Sequence, residues 1–280
     1  MQRKNLATSA LARMAVCAAL YAVVNGITAP VGTPWGVGQF RPGVIVPAIF
    51  SITSGTLVGA VGAGLGSLVG DILFLVPLGQ TNYLLAVAAG LPGNFVGFLL
   101  FGWIVNRYRS WSAFTVGSAV SLLVGNLIAA AGVMLLAFSS STGDAFWMGL
   151  AGFTLFWEFT MLPFMILVLP VILRALYTNP SSRIWSNGVP SWAKEPLVRI
   201  LSVGILTSVP FFVIGGLSLT GYFDTFYSSW PHFGPILGSV MSIFELGIAV
   251  TLVVAPVAPR IASYGRAQRP APAQPLQQQA

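Results

Sequence analysis

Residues 35–71 read WGVGQFRPGVIVPAIFSITSGTLVGAVGAGLGSLVGD, a Gly- and Pro-rich polar loop that runs directly into an apolar segment. The loop carries Gln39 and Arg41, and the apolar segment ends at Asp71. Glycines at positions 55, 59, 62, 66 and 70 punctuate the apolar part. A charged group in lipid is costly, so an ionisable residue at the end of such a segment indicates a functional or specifically partnered position.

The composition of the chain excludes an ordinary soluble domain. Charged residues make up 7% of the 280 positions and apolar residues 56%, whereas an average soluble domain has about 25% charged residues. Several apolar stretches approach or exceed the ~18 residues that span a bilayer, and none shows the alternation of barrel strands. The sequence therefore predicts an all-α, polytopic helical membrane protein.

Other function classes find little support in the sequence. The net charge of +7 comes from basic residues scattered between apolar segments, which is the pattern that orients membrane helices rather than one that binds nucleic acid. Cys17 and His232 each occur once, so neither a disulfide framework nor a Cys/His metal cluster is expected. No nucleotide-binding P-loop, HExxH or GxSxG motif is present. We predict a protein that is not an enzyme and that has no cofactor.

Eight membrane spans are predicted. The segment 44–78 is assigned two short spans, turning near Gly59–Gly62, because two crossings place eleven of the 13 basic residues on one face, which the positive-inside rule makes cytoplasmic. The N-terminal apolar run is interpreted as a retained span, with both termini cytoplasmic and the protein in the plasma membrane. The predicted spans are 10–29, 44–60, 61–78, 84–105, 111–138, 148–176, 197–219 and 234–259.

The spans group into a front part and a terminal pair. We predict a six-helix membrane core over residues 1–177, a cytoplasmic loop over 178–196, an additional transmembrane pair over 197–259 and a disordered cytoplasmic tail over 260–280. Proline is expected to kink a helix where neighbours can satisfy the freed carbonyl. Such kinks are expected at Pro163, Pro170 and Pro210.

Polar groups inside the spans are the candidate site residues. Three carboxylates, Asp71, Glu158 and Glu245, lie within predicted spans and should face the bundle interior, be protonated or find a partner. Arg41 is the one basic residue that the topology places on the outer face; it either meets a ligand or clamps the loop. The mid-span Asn94 and Asn126, and the aromatic Trp35 and Trp157, complete the candidate pocket, with the interfacial aromatic belt as the alternative for the tryptophans.

Small residues line one face of the first span. Ala15 and Ala19 lie four residues apart, as do Ala18 and Ala22. Such a stripe allows another helix to approach closely. The spacing alone leaves open whether that helix belongs to this chain or to a partner.

Taken together, QFRPG at 39–43, the glycine-rich run 55–71 and AAGLPGNFVGFLLFGWIV at 88–105 resemble the S components of energy-coupling factor (ECF) transporters, the substrate-binding membrane subunits of vitamin uptake systems. The resemblance implies a six-helix protein that captures a vitamin or related micronutrient from outside. It also implies partners, namely a membrane coupling subunit and two ABC-type ATPases. The last two spans, with Glu245, go beyond the family pattern.

The resemblance also implies roles for particular residues. Ala15 and Ala19 map onto the face that docks on the coupling subunit. The loop 31–43 maps onto the segment that covers the pocket. The residues thereby nominated for substrate binding, with Asp71 added as a buried acid, are Trp35, Gln39, Arg41, Asp71, Asn94, Asn126, Trp157 and Glu158.

The sequence leaves the ligand and two other function classes open. The buried acids favour a heteroaromatic micronutrient of cationic or amino character, such as thiamine or its pyrimidine precursor, while Arg41 leaves riboflavin and others possible. The first alternative is a self-sufficient ion-coupled transporter that depends on the buried acids. The second is a membrane assembly or scaffold protein, which would bind no small ligand.

Overall fold

The computed structural model describes residues 2–33, 37–178, 195–222, 237–255 and 257–263. These residues are mainly helical, and the described part of the chain contains no β-strand. This confirms the prediction of an all-α polytopic membrane protein. The helices are α1 (Gln2–Thr28), α2 (Ile45–Thr53), α3 (Thr56–Leu75), α4 (Tyr83–Tyr108), α5 (Trp111–Leu136), α6 (Gly143–Leu176), α7 (Leu197–Leu219), α8 (Leu237–Val253) and α9 (Val257–Ser263).

Six of the described helices are long and apolar enough to cross a membrane, namely α1 and α3 to α7. The two remaining predicted spans are shorter. Pro42–Thr53, which adds a 3₁₀ turn to the start of α2, has twelve residues and reaches only about 18 Å at the helical rise. The apolar part of α8, Ser239–Val253, is also below the usual spanning length.

The hairpin between α2 and α3 turns at Ser54–Gly55, so the predicted turn near Gly59–Gly62 was wrong. Gly55 has a φ of 113°, which a residue with a side chain rarely adopts. Gly59 instead lies inside α3 and packs on Ser51, where a Cβ would lie 2.8 Å from the carbonyl oxygen of Pro47. The glycine at 59 therefore serves close helix packing, and the one at 55 serves the turn.

Helices α1 and α3 pack tightly and run in the same direction. Gly62 lies against Cys17, Gly66 against Ala18, and Gly70 against Ala22, so contacts advance together along both helices. A parallel pair requires the chain to return between them, which α2 does. On α1, Ala18 and Ala22 are buried in this contact, whereas Ala15 and Ala19 are exposed on the other side.

The following helices alternate in direction. Gly102 near the end of α4 meets Thr56 at the start of α3, and Gly93 of α4 meets Gly125 of α5. In the terminal pair, Gly204 of α7 meets Leu252 of α8, which makes these helices antiparallel too. Helix α8 packs on α6 as well as on α7, so the additional pair is joined directly to the core.

Three of the described basic residues, Arg107, Arg109 and Arg199, lie at the end of the bundle opposite the loop before α2. Arg107 and Arg109 lie at the end of α4 that contacts Thr56. Glu195 accepts hydrogen bonds from the backbone and hydroxyl of Ser112 at the start of α5, and it pairs with Arg199 at 3.2 Å. Arg41 reaches the far end of α3 instead.

Several predicted boundaries shift. Helix α6 begins at Gly143 rather than at 148, and α9 continues to Ser263, into the segment predicted as a disordered tail. The predicted loop 178–196 and the tail beyond 263 lie largely outside the described residues. Pro163 is followed by a π-helical turn at Phe164–Val168, whereas Pro210 lies inside α7 without interrupting it.

We predict that alanine substitution changes stability differently at two helical glycines. At Gly66 a Cβ would lie 2.7 Å from the backbone oxygen of Ala18, whereas at Gly216 it would meet nothing within 4 Å. Gly66→Ala should therefore destabilise the protein by about 1–3 kcal/mol through overpacking. Gly216→Ala should be neutral or stabilising by up to about 1 kcal/mol. Thermal unfolding of the detergent-purified protein measures both, and equal effects would contradict the proposed close approach of α1 and α3.

Candidate functional site

A cavity lies within the bundle beneath the loop that connects α1 to α2. It contains about 660 Å³ of empty space, including the part open to solvent. Its walls come from α3, α4, α5 and α6, and residues of the loop cover it. The lining residues are Val37, Gly38, Arg41, Val44, Asp71, Leu75, Thr81, Leu85, Ala89, Gly90, Gly93, Asn94, Gly97, Phe98, Ser121, Leu122, Gly125, Asn126, Ala129, Val133, Trp157 and Met161.

A buried ion pair closes one side of the cavity. Arg41 Nη2 lies 2.6 Å from Asp71 Oδ1, and Nη1 donates to Ser67 Oγ at 2.9 Å. The two charged side chains are only 8% and 3% exposed. Two opposite charges in such a setting neutralise each other, so the pair adds no net charge to the cavity wall.

Asn94 joins this pair to α1. Its side-chain nitrogen donates to Ser67 Oγ at 3.0 Å and to the Gly90 carbonyl at 2.8 Å, and its oxygen accepts from the Tyr21 hydroxyl at 2.7 Å. Ser67 thus receives donors from both Arg41 and Asn94. The network fixes the orientation of the Asn94 amide and occupies both of its N–H groups.

Trp157 anchors the loop over the cavity. Its indole nitrogen donates to the Gln39 carbonyl at 3.2 Å, and the ring lies against Gly38, where a Cβ would come within 2.7 Å. Gly38 has a φ of 81°, and its N–H donates to the Gln80 carbonyl. The Gln39 side chain donates in turn to the Asn25 carbonyl. The Trp157 indole therefore holds the loop between α1 and α2 over the cavity, and it also forms part of the cavity wall.

Asn126 and Glu158 form the second polar feature of the site. Asn126 Nδ2 donates to Glu158 Oε2 across 3.4 Å. Glu158 is fully buried and does not line the cavity. Its other oxygen, Oε1, has no hydrogen-bond partner among the residues that the structure describes. The carboxyl group therefore lies behind Asn126.

The structure brings most of the predicted site residues together. Five of them line the cavity, namely Arg41, Asp71, Asn94, Asn126 and Trp157. Gln39 and Glu158 contact these residues without lining the cavity. Trp35 lies outside the described residues. Whether any of these residues contacts a ligand stays a prediction.

The third predicted acid belongs elsewhere. Glu245 is 2% exposed and accepts a hydrogen bond from Ser218 Oγ at 3.0 Å, within the contact between α8 and α7. It does not line the cavity. All three buried acids thus have a polar partner, as expected for acids in spans, but they belong to three different local environments.

Sequence reasoning missed Ser67, Tyr21 and the glycines of the cavity wall. Ser67 lies four residues before Asp71, a spacing that places both on one helical face, so the helical period could have identified it. Gly93, Gly97 and Gly125 lie where α4 and α5 approach closely, with a Cβ at Gly93 falling 2.6 Å from the Gly125 carbonyl oxygen. Their role depends on which helices become neighbours, which the sequence pattern does not give.

Two helices that line the cavity contain a widened turn at it. π-Helical turns occupy Asp71–Leu75 in α3 and Ala86–Gly90 in α4. Asp71, Leu75, Ala89 and Gly90 all line the cavity. Such turns occur frequently at functional sites in helical proteins.

No protein-family model, curated protein or solved structure matches the chain. The geometry of the cavity and the resemblance of the motifs are therefore the observations that bear on function.

The Arg41–Asp71 pair should show strong non-additivity. Arg41→Met or Asp71→Leu alone leaves one buried charge without its partner, which should cost about 3–5 kcal/mol. The double variant removes both charges and should lose less than the sum of the single losses, by at least about 1 kcal/mol. The free energies of unfolding of detergent-purified wild type, the two single variants and the double variant form a double-mutant cycle. Additive losses would show that the two side chains do not interact.

Proposed function

We propose that this chain is a substrate-binding S component of an ECF-type transporter. It captures a vitamin or related micronutrient from outside and delivers it through a membrane coupling subunit and two separate ABC-type ATPases. The observation that carries the proposal is the cavity inside the helical bundle, covered by the loop between α1 and α2. Aromatic walls, a few converging polar groups and a cover are the features of a small-molecule site.

The arrangement of charge supports capture from outside. Arg107, Arg109 and Arg199 lie at the end of the bundle opposite the loop. From the positive-inside rule we infer that this end faces the cytoplasm and that the covered cavity faces outward. Cytoplasmic termini and a location in the plasma membrane belong to the same proposal.

The exposed face of α1 supports docking on a coupling subunit. Ala15 and Ala19 point away from the contact with α3 and remain exposed. Without a partner they would face lipid, and with one they would allow a neighbouring helix to approach closely. The chain has no nucleotide-binding P-loop motif, so ATP-driven uptake would require separate ATPase subunits.

The site changes the expectation about ligand charge. Asp71 cannot favour a cationic ligand strongly, because its charge is compensated by Arg41 at 2.6 Å. Arg41 is equally unsuited to bind an anion without leaving Asp71. Of the buried acids, Glu158 alone adjoins the cavity without a basic partner among the described residues.

Cavity filling should test ligand capture. Val133 lines the cavity and is buried, whereas Val120 lies on the same helix and is 37% exposed. Val133→Phe should reduce the amount of bound compound at least tenfold, because the larger ring occupies the cavity. Val120→Phe should leave it unchanged. Mass spectrometry of small molecules released on denaturing the detergent-purified proteins measures the bound compound.

The same measurement separates the alternatives. A vitamin-like compound present in wild type and in Val120→Phe, and lost in Val133→Phe, supports capture at this cavity. An empty wild-type protein that no member of a vitamin panel stabilises against heat contradicts it and favours a scaffold. Uptake by vesicles containing this chain alone, driven by an ion gradient and lost on neutralising Asp71, Glu158 or Glu245, would favour the ion-coupled transporter.

Bulk on the exposed face of α1 should uncouple transport from binding. Ala15→Trp or Ala19→Trp should reduce ATP-dependent uptake by whole cells at least tenfold while ligand retention stays near wild type, because the face lies outside the cavity. Ala88→Trp, at an exposed alanine of α4, is the matched control and should transport normally. Loss of retention together with uptake would indicate misfolding and would contradict the docking assignment.

A further inference from the structure

The amide of Asn126 separates the cavity from the carboxyl group of Glu158. Asn126 lines the cavity and is 6% exposed, while Glu158 behind it is 0% exposed. One end of the amide, Nδ2, is engaged by Glu158 Oε2 at 3.4 Å. The other end, Oδ1, makes no hydrogen bond within the described ranges of the chain.

The hydrogen bond between the two side chains determines which end of the amide points away from Glu158. The NH₂ group of Asn126 is turned toward Glu158 Oε2, which accepts from Nδ2 at 3.4 Å. The carbonyl oxygen of Asn126 is then the end available to a molecule in the cavity. Asn126 therefore presents an acceptor, and a ligand that faces it must supply a donor.

Several donors of the neighbouring polar side chains are already engaged within the chain, so they are not free to meet a ligand. Both N–H groups of Asn94 are engaged by Ser67 and Gly90. The two terminal nitrogens of Arg41 donate to Ser67 and Asp71. Ser121 donates to the Ser118 carbonyl. Asn126 Oδ1 is thus an acceptor that a ligand can use while the network around Arg41 stays intact.

The remaining walls favour a flat ligand. Phe98 and Trp157 contribute aromatic surface to the cavity, and Gly93, Gly97 and Gly125 contribute backbone without side chains. Aromatic faces and smooth backbone walls suit a planar ring better than a branched aliphatic molecule.

We propose that Asn126 and Glu158 form a donor-selective subsite, in which Glu158 orients the Asn126 amide so that its oxygen accepts an N–H from a planar amino-heterocycle. Asn126 is the contacting residue and Glu158 is a positioning residue. The proposal rests on the proposed function, since it names the substrate class of the same cavity.

A matched pair of probes tests the donor requirement. 4-Amino-2-methylpyrimidine offers an N–H donor, whereas 4-methoxy-2-methylpyrimidine has the same ring and an acceptor in that position. Binding to the full-length, detergent-purified protein, emptied of retained compound, is measured by calorimetry at millimolar concentrations. We expect wild type to prefer the amino probe by about tenfold, the usual order for one buried hydrogen bond.

Glu158→Leu tests the positioning role. Leucine offers no acceptor to Asn126 Nδ2, so the Asn126 amide is no longer held in one orientation, and the preference for the amino probe should fall to about twofold or less. Asn126→Ala should abolish the preference as well. Glu245→Leu makes the same chemical change at a buried glutamate of α8, away from the cavity, and should retain the tenfold preference.

The outcomes are distinguishable from failure of the proposed function. Equal binding of both probes to wild type, or an unchanged preference in Glu158→Leu, would overturn the subsite and leave ligand capture standing. Absence of binding by either probe would also overturn it. Ligand capture is tested separately, by comparing the compound that wild type and Val133→Phe release on denaturation. A merely structural role for Glu158 would lower thermal stability without changing the ratio of the two affinities.

Discussion

The ion pair between Arg41 and Asp71 is the interaction on which the site depends. It joins the loop after α1 to the far part of α3, at a place where water is largely excluded. A buried pair of this kind contributes little net stability compared with apolar packing, but it is costly to break from one side. Its main effect is therefore to hold the loop in one position over the cavity. Pro42 directly after Arg41 restricts the backbone conformations that are open to Arg41.

The glycine contacts between α1 and α3, and between α4 and α5, determine where the ion pair and the cavity can lie. Close packing of α1 against α3, and of α4 against α5, requires positions without side chains. The same absence of side chains leaves smooth backbone in the cavity wall at Gly93, Gly97 and Gly125. One residue type thus provides both tight helix contacts and the open space between them.

Composition and helix length made the fold class predictable, because apolar runs of spanning length have few alternatives in lipid. The site was partly predictable for a related reason. Polar residues such as Asp71, Asn94 and Asn126 are rare in spans, so each one is a candidate functional residue from the sequence alone. The turn of the hairpin was mistaken because glycine serves both turns and close packing, and only the contact of Gly59 with Ser51 separates the two uses. The partner of Arg41 and the position of Glu158 behind Asn126 depend on tertiary neighbours, which periodicity does not specify.

The π-helical turns at Asp71–Leu75 and Ala86–Gly90 have a consequence for how such a cavity diversifies. A π turn is equivalent to an α-helix that has accepted one additional residue, and each residue of an α-helix accounts for 100° of rotation. Loss of that residue would restore the regular helix and leave both flanks in their original packing. A single-residue deletion at either turn would thus change which side chains face the cavity. It would leave the glycine contacts between the helices undisturbed. Length changes within helices, usually disruptive, are a route by which this architecture can acquire a different ligand.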